Sequence, residues 1–177
     1  MEQYRKTPRA HFIDYDYGDY FITICTKEKL HFFGEIQDGI MMLTDIGRFV
    51  DIQLSRSNEY CKGIEVIQHV VMPNHIHAIV RVDAKMTNDD IDTGMLLRSP
   101  NPALRANPTC QRHVPTLSKY VNSLKGAVTK YAKTNSFEFG WQSRYYDHLI
   151  RGVKDGNRIS EYISNNIAKW QDDCFHK

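Results

Sequence analysis

The sequence lacks the patterns that mark membrane, secreted and zinc-ribbon proteins. No apolar run in its 177 residues approaches the length of a membrane-spanning helix, and the first residues contain no signal-peptide core. The four cysteines are scattered without a Cys-x-x-Cys pair, which favours reduced thiols over a disulfide framework. We therefore expect a cytoplasmic protein with no membrane partner.

Several common catalytic patterns are also missing. There is no glycine-rich phosphate loop, no His-Glu-x-x-His and no Cys–His pair at a telling spacing. The adjacent carboxylates Asp89-Asp90 and Asp172-Asp173 fall on predicted loops or ends, where solvation is their expected role. With 41% hydrophobic residues and no internal repeat or linker, residues 1–177 are predicted to form a single domain.

A hairpin in the middle of the chain carries the first clue to chemistry. Two β-branched runs, Val66–Met72 and His75–Val82, flank a Pro-Asn pair, a pattern typical of two strands joined by a tight turn. Because side chains alternate along a strand, His75 and His77 share one face, whereas the residues between and after them form an apolar face. Two imidazoles so placed can converge on one cation; packed or solvated strand histidines are the alternative interpretation.

The remaining pattern predicts an α+β protein. The order of elements suits a mostly antiparallel sheet with helices packed on one face, which leaves the histidine face free for a substrate. An irregular insertion loop is predicted over 83–115, where four prolines break any regular element. The other predicted elements are a strand Tyr20–Thr26, a hairpin of Leu30–Ile36 and Ile40–Leu43, helices capped by Thr44 and Thr116, a strand Phe137–Ile150 and a last helix Asn157–Trp170.

Positive charge is concentrated in one part of the chain. The segment from Arg98 to Arg144 contains eight basic residues and one acid, Glu138, and so carries +7. Because the whole chain carries +2, the rest carries −5. Such asymmetry indicates a polyanionic partner, with a solvated basic face as the alternative.

The last predicted helix adds a second set of polar groups. Tyr162 and Asn166 are four residues apart and therefore lie on one face, which Lys169 continues. Two histidines and one amide oxygen would leave open positions for phosphate oxygens on a divalent ion. A tyrosine can then attack phosphorus. A packed tyrosine and a helix-terminal asparagine are the alternatives.

Three segments together resemble the single-tyrosine HUH transposases, in particular the branch called REP-associated tyrosine transposases. They are Met72-Pro-Asn-His-Ile-His77, Trp141–Arg151 and Glu161–Asn166. The resemblance implies a ferredoxin-like antiparallel sheet with helices on one face. One departure is Ile167, where the family usually has proline, and we expect the helix to run on through Trp170.

The resemblance also implies an activity. Tyr162 would nick and join single-stranded DNA through a 5′-phosphotyrosine, with His75, His77 and Asn166 holding Mg²⁺ or Mn²⁺. Single-stranded or hairpin DNA would be the partner, and Tyr162 would act on its own chain or, in a homodimer, on a partner's histidines. A hairpin-binding protein without cleavage activity and a His-x-His metallohydrolase acting on small phosphoesters are the alternatives. The expected DNA contacts are Lys119, Lys125, Lys130, Arg144, His148, Arg151 and Lys169. For His148 and Arg151, support of the site is the alternative role.

Overall fold

Six strands and four α-helices make up the described residues, 17–83 and 116–176, of the computed structural model. Two single-turn 3₁₀ helices, Lys27–Lys29 and Trp170–Asp172, complete these ranges. Among these residues, no helix has both the length and the apolar character that crossing a membrane would require. The strands are β1 (Tyr17–Cys25), β2 (Gly34–Gln37), β3 (Ile40–Leu43), β4 (Ile64–Val71), β5 (His75–Asp83) and β6 (Tyr146–Leu149), and the helices are α1 (Asp45–Ser55), α2 (Ser57–Tyr60), α3 (Leu117–Thr134) and α4 (Gly152–Asn165).

Four of the strands form one antiparallel sheet in the order β4-β5-β1-β6. With α1 between β1 and β4, and α3 between β5 and β6, this is the ferredoxin-like arrangement. Strands β2 and β3 form a separate hairpin. The predicted fold class, an α+β protein with a ferredoxin-like antiparallel sheet and helices packed against it, is therefore confirmed.

The two faces of the sheet are covered by different helices. Ile76, Ala78 and Val80 of β5 belong to the main core, together with buried residues of α1 and α3. On the other face, Ile159 and Ile163 of α4 pack against a smaller apolar cluster that includes Phe21 and Ile79. Hydrogen bonds from the Gln68 amide of β4 to the Ser160 carbonyl and the Ser164 hydroxyl also hold α4 to this face. The predicted free face is consequently occupied by a helix.

The last third of the chain differs most from its prediction. Of the predicted strand Phe137–Ile150, Tyr146–Leu149 forms β6 and pairs with β1, whereas Trp141 makes an isolated bridge to Thr26 just beyond β1. Phe139 and Trp141 pack against Phe33. The last helix begins at Gly152, where the Asp155 carboxylate accepts the Arg151 N–H, and it ends at Asn165. The expectation that it runs on through Trp170 is wrong.

Two further expectations concern the loop and the cysteines. All of the predicted insertion loop except Asp83, the last residue of β5, lies outside the described residues. Cys25 and Cys174 are free thiols, as expected. Cys61 is disulfide-bonded, so the expectation of reduced thiols is wrong for that residue.

The start of α1 offers a test of how tightly the β2–β3 hairpin packs. Thr44 caps α1 by accepting the Gly47 N–H, as predicted. A Cβ atom at Gly47 would overlap with the carbonyl oxygen of Phe33. Glycine is required here because helix and hairpin backbones approach each other, although alanine is the better helix former.

Gly47→Ala is therefore expected to lower the free energy of unfolding by about 1–3 kcal/mol. Gly156→Ala, in α4, is the matched control, because a Cβ there meets Ile150 at an ordinary 3.6 Å. That substitution should raise the free energy of unfolding by about 0.5–1 kcal/mol. Urea denaturation measures both, and a Gly47→Ala protein as stable as the parent would contradict the close approach.

Candidate functional site: a buried histidine pair beside Tyr162

His75 and His77 face each other on the α4 side of β5. Their Nε2 atoms lie 3.0 Å apart, which places an N–H of one ring against the bare nitrogen of the other. Adjacent ligands of an octahedral ion at about 2.1 Å are also about 3 Å apart. The spacing of the two nitrogens thus suits two neighbouring positions on one small cation.

The outward nitrogens of both rings are held by neighbouring side chains. The Asn74 Oδ1 atom lies 2.9 Å from His75 Nδ1, and the Asn74 amide nitrogen donates to the carbonyls of Lys29 and Phe175. Because that Oδ1 can only accept, His75 carries its proton on Nδ1 and presents a bare Nε2. The Thr23 hydroxyl lies 2.9 Å from His77 Nδ1 and can either donate or accept there.

Burial keeps the two imidazoles neutral. His75 and His77 are 0% and 1% exposed. Desolvation holds the pKa of each ring far below its usual value, and repulsion between the rings adds to this effect at His75. Neutral imidazole is the form that binds metal ions, so the pair is ready to act as ligands at neutral pH.

Helix α4 brings Tyr162 to this pair. The Tyr162 hydroxyl lies 3.2 Å from His77 Nε2 in the same chain, and the Phe21 ring packs against both residues. Burial raises the pKa of the Tyr162 phenol, although a hydrogen bond from Asn166 opposes the shift. Asn166 follows the last residue of α4 and is 3% exposed. Its Oδ1 atom has no hydrogen-bond partner.

The orphaned oxygen of Asn166, in a cavity shared with Tyr162 and Asp173, tests whether a metal ion fits. A buried acceptor without a partner is costly, and an ion bound there would satisfy Asn166 Oδ1. The ligand atoms of His75, His77 and Asp173 also lie within 4.8 Å of one another. Nitrogen and oxygen donors of this kind suit a divalent ion. The residues present therefore fit a metal ion. Asp173 is half-buried and its carboxylate accepts the Phe175 N–H, so it is not merely solvated as expected.

The C-terminal segment, residues 170–176, covers the pair. The Phe175 ring lies 4.4 Å from the His75 ring, centroid to centroid, and Trp170 is buried 6.1 Å from it. The Lys29 ammonium donates to the Cys174 carbonyl at 3.0 Å. Local sequence pattern carries no sign of this cover. The sequence therefore predicts an open site, whereas the site in the structure is closed.

The expected DNA contacts are distributed over both faces. Lys119, Lys125 and Lys130 belong to α3, on the face opposite the histidines. The Lys125 ammonium donates to the carbonyls of Gln142 and Arg144, so it stabilises the chain that leads to β6. The Arg144 side chain is exposed beside this contact.

Other expected contacts lie near α4. His148 Nε2 and the Asp155 carboxylate are hydrogen-bonded at 2.8 Å, so His148 supports the start of α4. The Arg151 backbone joins that contact, while its side chain is exposed. Lys169 lines a cavity of about 250 Å³ with Tyr162, Asn166 and Asp173. Lys169, one of the expected basic contacts, thus shares a cavity with Tyr162.

Four site residues were not among the predicted ones. Thr23 and Asn74 orient the imidazoles, Asp173 supplies a carboxylate and Phe175 covers the pair. Asn74 adjoins His75 within the histidine motif, so its position was available as a signal. The other three reach the site only through the tertiary structure.

Solved structures of two other proteins are similar to this chain. A solved structure of a REP-associated tyrosine transposase bound to a REP hairpin matches with a TM-score of 0.56 and 18% identity, covering 96% of this chain and 74% of the other. The two proteins share a fold. A proposed transposase from Deinococcus radiodurans has 16% identity over 88% of this chain and 94% of its own. Its TM-score of 0.42 is too low to support an argument.

Sequence similarity defines the family. An uncharacterized protein of Haemophilus influenzae is 34% identical over 157 residues, covering 88% of this chain and 83% of its own length. The chain belongs to the same family as this protein. No established family model matches the sequence.

The contact between Thr23 and His77 can be tested by removing a single hydroxyl. Thr23→Val keeps the side-chain shape but leaves His77 Nδ1 without its partner, so we expect Mn²⁺ affinity to fall about tenfold or more. Isothermal titration calorimetry measures this affinity. Thr129→Val is the control, because that hydroxyl bonds to the Lys125 carbonyl within α3. Unchanged Mn²⁺ affinity in Thr23→Val would contradict the role of Thr23.

Proposed function

We propose that this protein is a metal-dependent enzyme that nicks and joins single-stranded DNA through a 5′-phosphotyrosine intermediate, with Tyr162 as the nucleophile. One observation carries the proposal, namely the 3.2 Å contact between the Tyr162 hydroxyl and His77 Nε2, itself 3.0 Å from His75 Nε2. A phenol, two neutral imidazoles and an orphaned amide oxygen are the parts that phosphoryl transfer to a tyrosine requires. The fold shared with a transposase that binds a DNA hairpin supports this choice.

In the proposed reaction, the Tyr162 oxygen attacks the phosphorus of a phosphodiester. A bond forms between that oxygen and phosphorus, the bond from phosphorus to the 3′ oxygen breaks, and the 3′ oxygen takes up a proton. The phenolic proton leaves Tyr162, so atoms and charge balance. Joining is the reverse step, in which a 3′-hydroxyl attacks the phosphotyrosine.

The side chains divide the work between ligation and positioning. His75, His77 and Asn166 would hold a divalent ion, Mg²⁺ or Mn²⁺, which when bound polarises the phosphoryl group and neutralises its developing charge. Asn74 and Thr23 hold the two imidazoles through their Nδ1 atoms. The Phe21 ring packs against both Tyr162 and His77.

The nucleophile is tested with DNA from the flanks of the gene that can form a hairpin. The parent protein incubated with this single strand and Mn²⁺ should give a protein–DNA adduct that survives a denaturing gel. Tyr162→Phe should abolish the adduct and leave DNA binding nearly unchanged, because only the nucleophilic oxygen is lost. Tyr146→Phe is the control, since this exposed tyrosine also contacts Phe21.

Each other outcome points to a different conclusion. An adduct that persists in Tyr162→Phe would move the nucleophile elsewhere. Binding without any adduct in the parent would favour a hairpin-binding protein without cleavage activity. Turnover of small phosphoesters without DNA cleavage would favour a metallohydrolase.

The lysines of α3 form the proposed binding surface for a part of the DNA away from the cleaved phosphate. Lys130 and Lys133 are exposed and line a surface groove of about 430 Å³. Because α3 packs on the face opposite the histidines, these ammonium groups lie a full sheet and helix layer from Tyr162. In this proposal a hairpin stem contacts this surface while its flanking strand enters the site.

Changing Lys130 and Lys133 together to Gln should weaken the salt dependence of DNA binding. The logarithmic slope should flatten by about 1.4 if both contact single-stranded DNA and by about 1.8 if both contact a duplex stem. Fluorescence anisotropy at several salt concentrations gives the slope. An unchanged slope would mean that this face is only solvated.

A further inference from the structure

The C-terminal segment places one of its carboxylates beside the histidine pair. The ligand atoms of Asp173, His75 and His77 lie within 4.8 Å of one another. Asp173 Oδ1 accepts the Phe175 N–H at 2.7 Å, which fixes the carboxylate in a tight turn. An ionised carboxylate offers about four acceptor sites, so this contact leaves room for a cation.

Asn166 gives an independent indication that a cation belongs here. Its side chain is 3% exposed, its Oδ1 atom has no partner, and it lines the same cavity as Asp173 and Tyr162. This oxygen is a fourth candidate donor next to the group of His75, His77 and Asp173, and the four residues come from three separate parts of the chain.

The segment that carries Asp173 is held over the site by specific contacts. The Asn74 amide donates to the Phe175 carbonyl at 2.9 Å, and the Lys29 ammonium donates to the Cys174 carbonyl. With the Phe175 ring against His75, both histidines are at most 1% exposed. A DNA phosphate cannot reach the imidazole nitrogens until this segment moves.

We propose that Asp173 is a metal ligand of the DNA-free protein and that a phosphate oxygen of single-stranded DNA takes its place when the C-terminal segment is displaced. The inference rests on the proposed function, because it assigns a ligand exchange to the same site. No covalent bond forms or breaks in the exchange, since one anionic oxygen donor replaces another. Asp173 and DNA therefore compete for one position, and each lowers the affinity of the site for the other.

The first measurement is Mn²⁺ binding by the full chain without DNA. Asp173→Asn keeps an acceptor for the Phe175 N–H but removes the anionic ligand, so the Mn²⁺ dissociation constant should rise at least about tenfold. Asp172→Asn is the matched control. It removes the same charge from the neighbouring exposed residue, which also lines the cavity but lies outside the ligand group. Equal Mn²⁺ affinities of Asp173→Asn and the parent would overturn the proposal.

The second measurement is DNA binding in a Tyr162→Phe background, with Mn²⁺ saturating and a stem–loop oligonucleotide as the probe. Adding Asp173→Asn should lower the DNA dissociation constant several-fold, whereas adding Asp172→Asn should not do so to the same extent. No gain over the Asp172→Asn protein would overturn the exchange.

The denaturing gel separates this inference from the proposed function. If the parent forms the Tyr162 adduct but its Mn²⁺ affinity does not depend on Asp173, the function stands and the ligand assignment falls. If the parent neither binds Mn²⁺ nor forms an adduct, both fall.

Discussion

The alternation of side chains along β5 is the constraint on which the rest of the structure depends. This strand pairs with β4 on one side and β1 on the other, so its register is fixed by two ladders. Ile76, Ala78 and Val80 point into the main core, and His75 and His77 therefore point to the opposite face. A shift of one residue would put both imidazoles into the apolar core, which makes the site inseparable from the fold.

Placing the histidines at the centre of the sheet has an energetic consequence. Two imidazoles with almost no exposure resist protonation, because a buried charge would lose its hydration. Each ring then needs a hydrogen-bond partner for its outward nitrogen. Thr23 from the adjacent strand and Asn74 from the preceding turn supply these partners within 2.9 Å. Rigid strands and a tight turn thus set the directions in which the two Nε2 atoms point.

Thr23 has a property that Asn74 lacks, since a hydroxyl can either donate or accept. While the two Nε2 atoms share one proton, His77 presents a bare Nδ1 to the threonine O–H, because His75 keeps its own proton on Nδ1. If both Nε2 atoms bind an ion, the His77 proton must move to Nδ1, where the same hydroxyl oxygen can accept it. The Thr23 hydroxyl can therefore bond to His77 both with and without a bound ion, and only its proton has to reorient.

The sequence was sufficient to predict the fold class and the set of strands near the site because these depend on local pattern. Period-two alternation and a Pro-Asn turn identified the β4–β5 hairpin, and Thr44 and Thr116 identified the starts of two helices. The end of α4 was missed because it depends on packing. The backbone N–H of Asn166 donates to the Ile163 carbonyl, and the backbone N–H of Trp170 donates to the Ile167 carbonyl. The chain therefore tightens into turns that bring Trp170 to the histidines.

The closed face follows from the same limit. The apolar stripe of the last helix predicts that this helix packs on the sheet. Local sequence pattern does not indicate on which of the two faces it packs. Once α1 and α3 fill one face, the second is the one left for Ile159 and Ile163. When α4 packs on this face, Tyr162 comes to lie beside His77. Tyr162 is three residues after Ile159 and directly before Ile163, so it borders the buried stripe. The burial that stabilises α4 is therefore also what positions the candidate nucleophile, and weakening one would loosen the other.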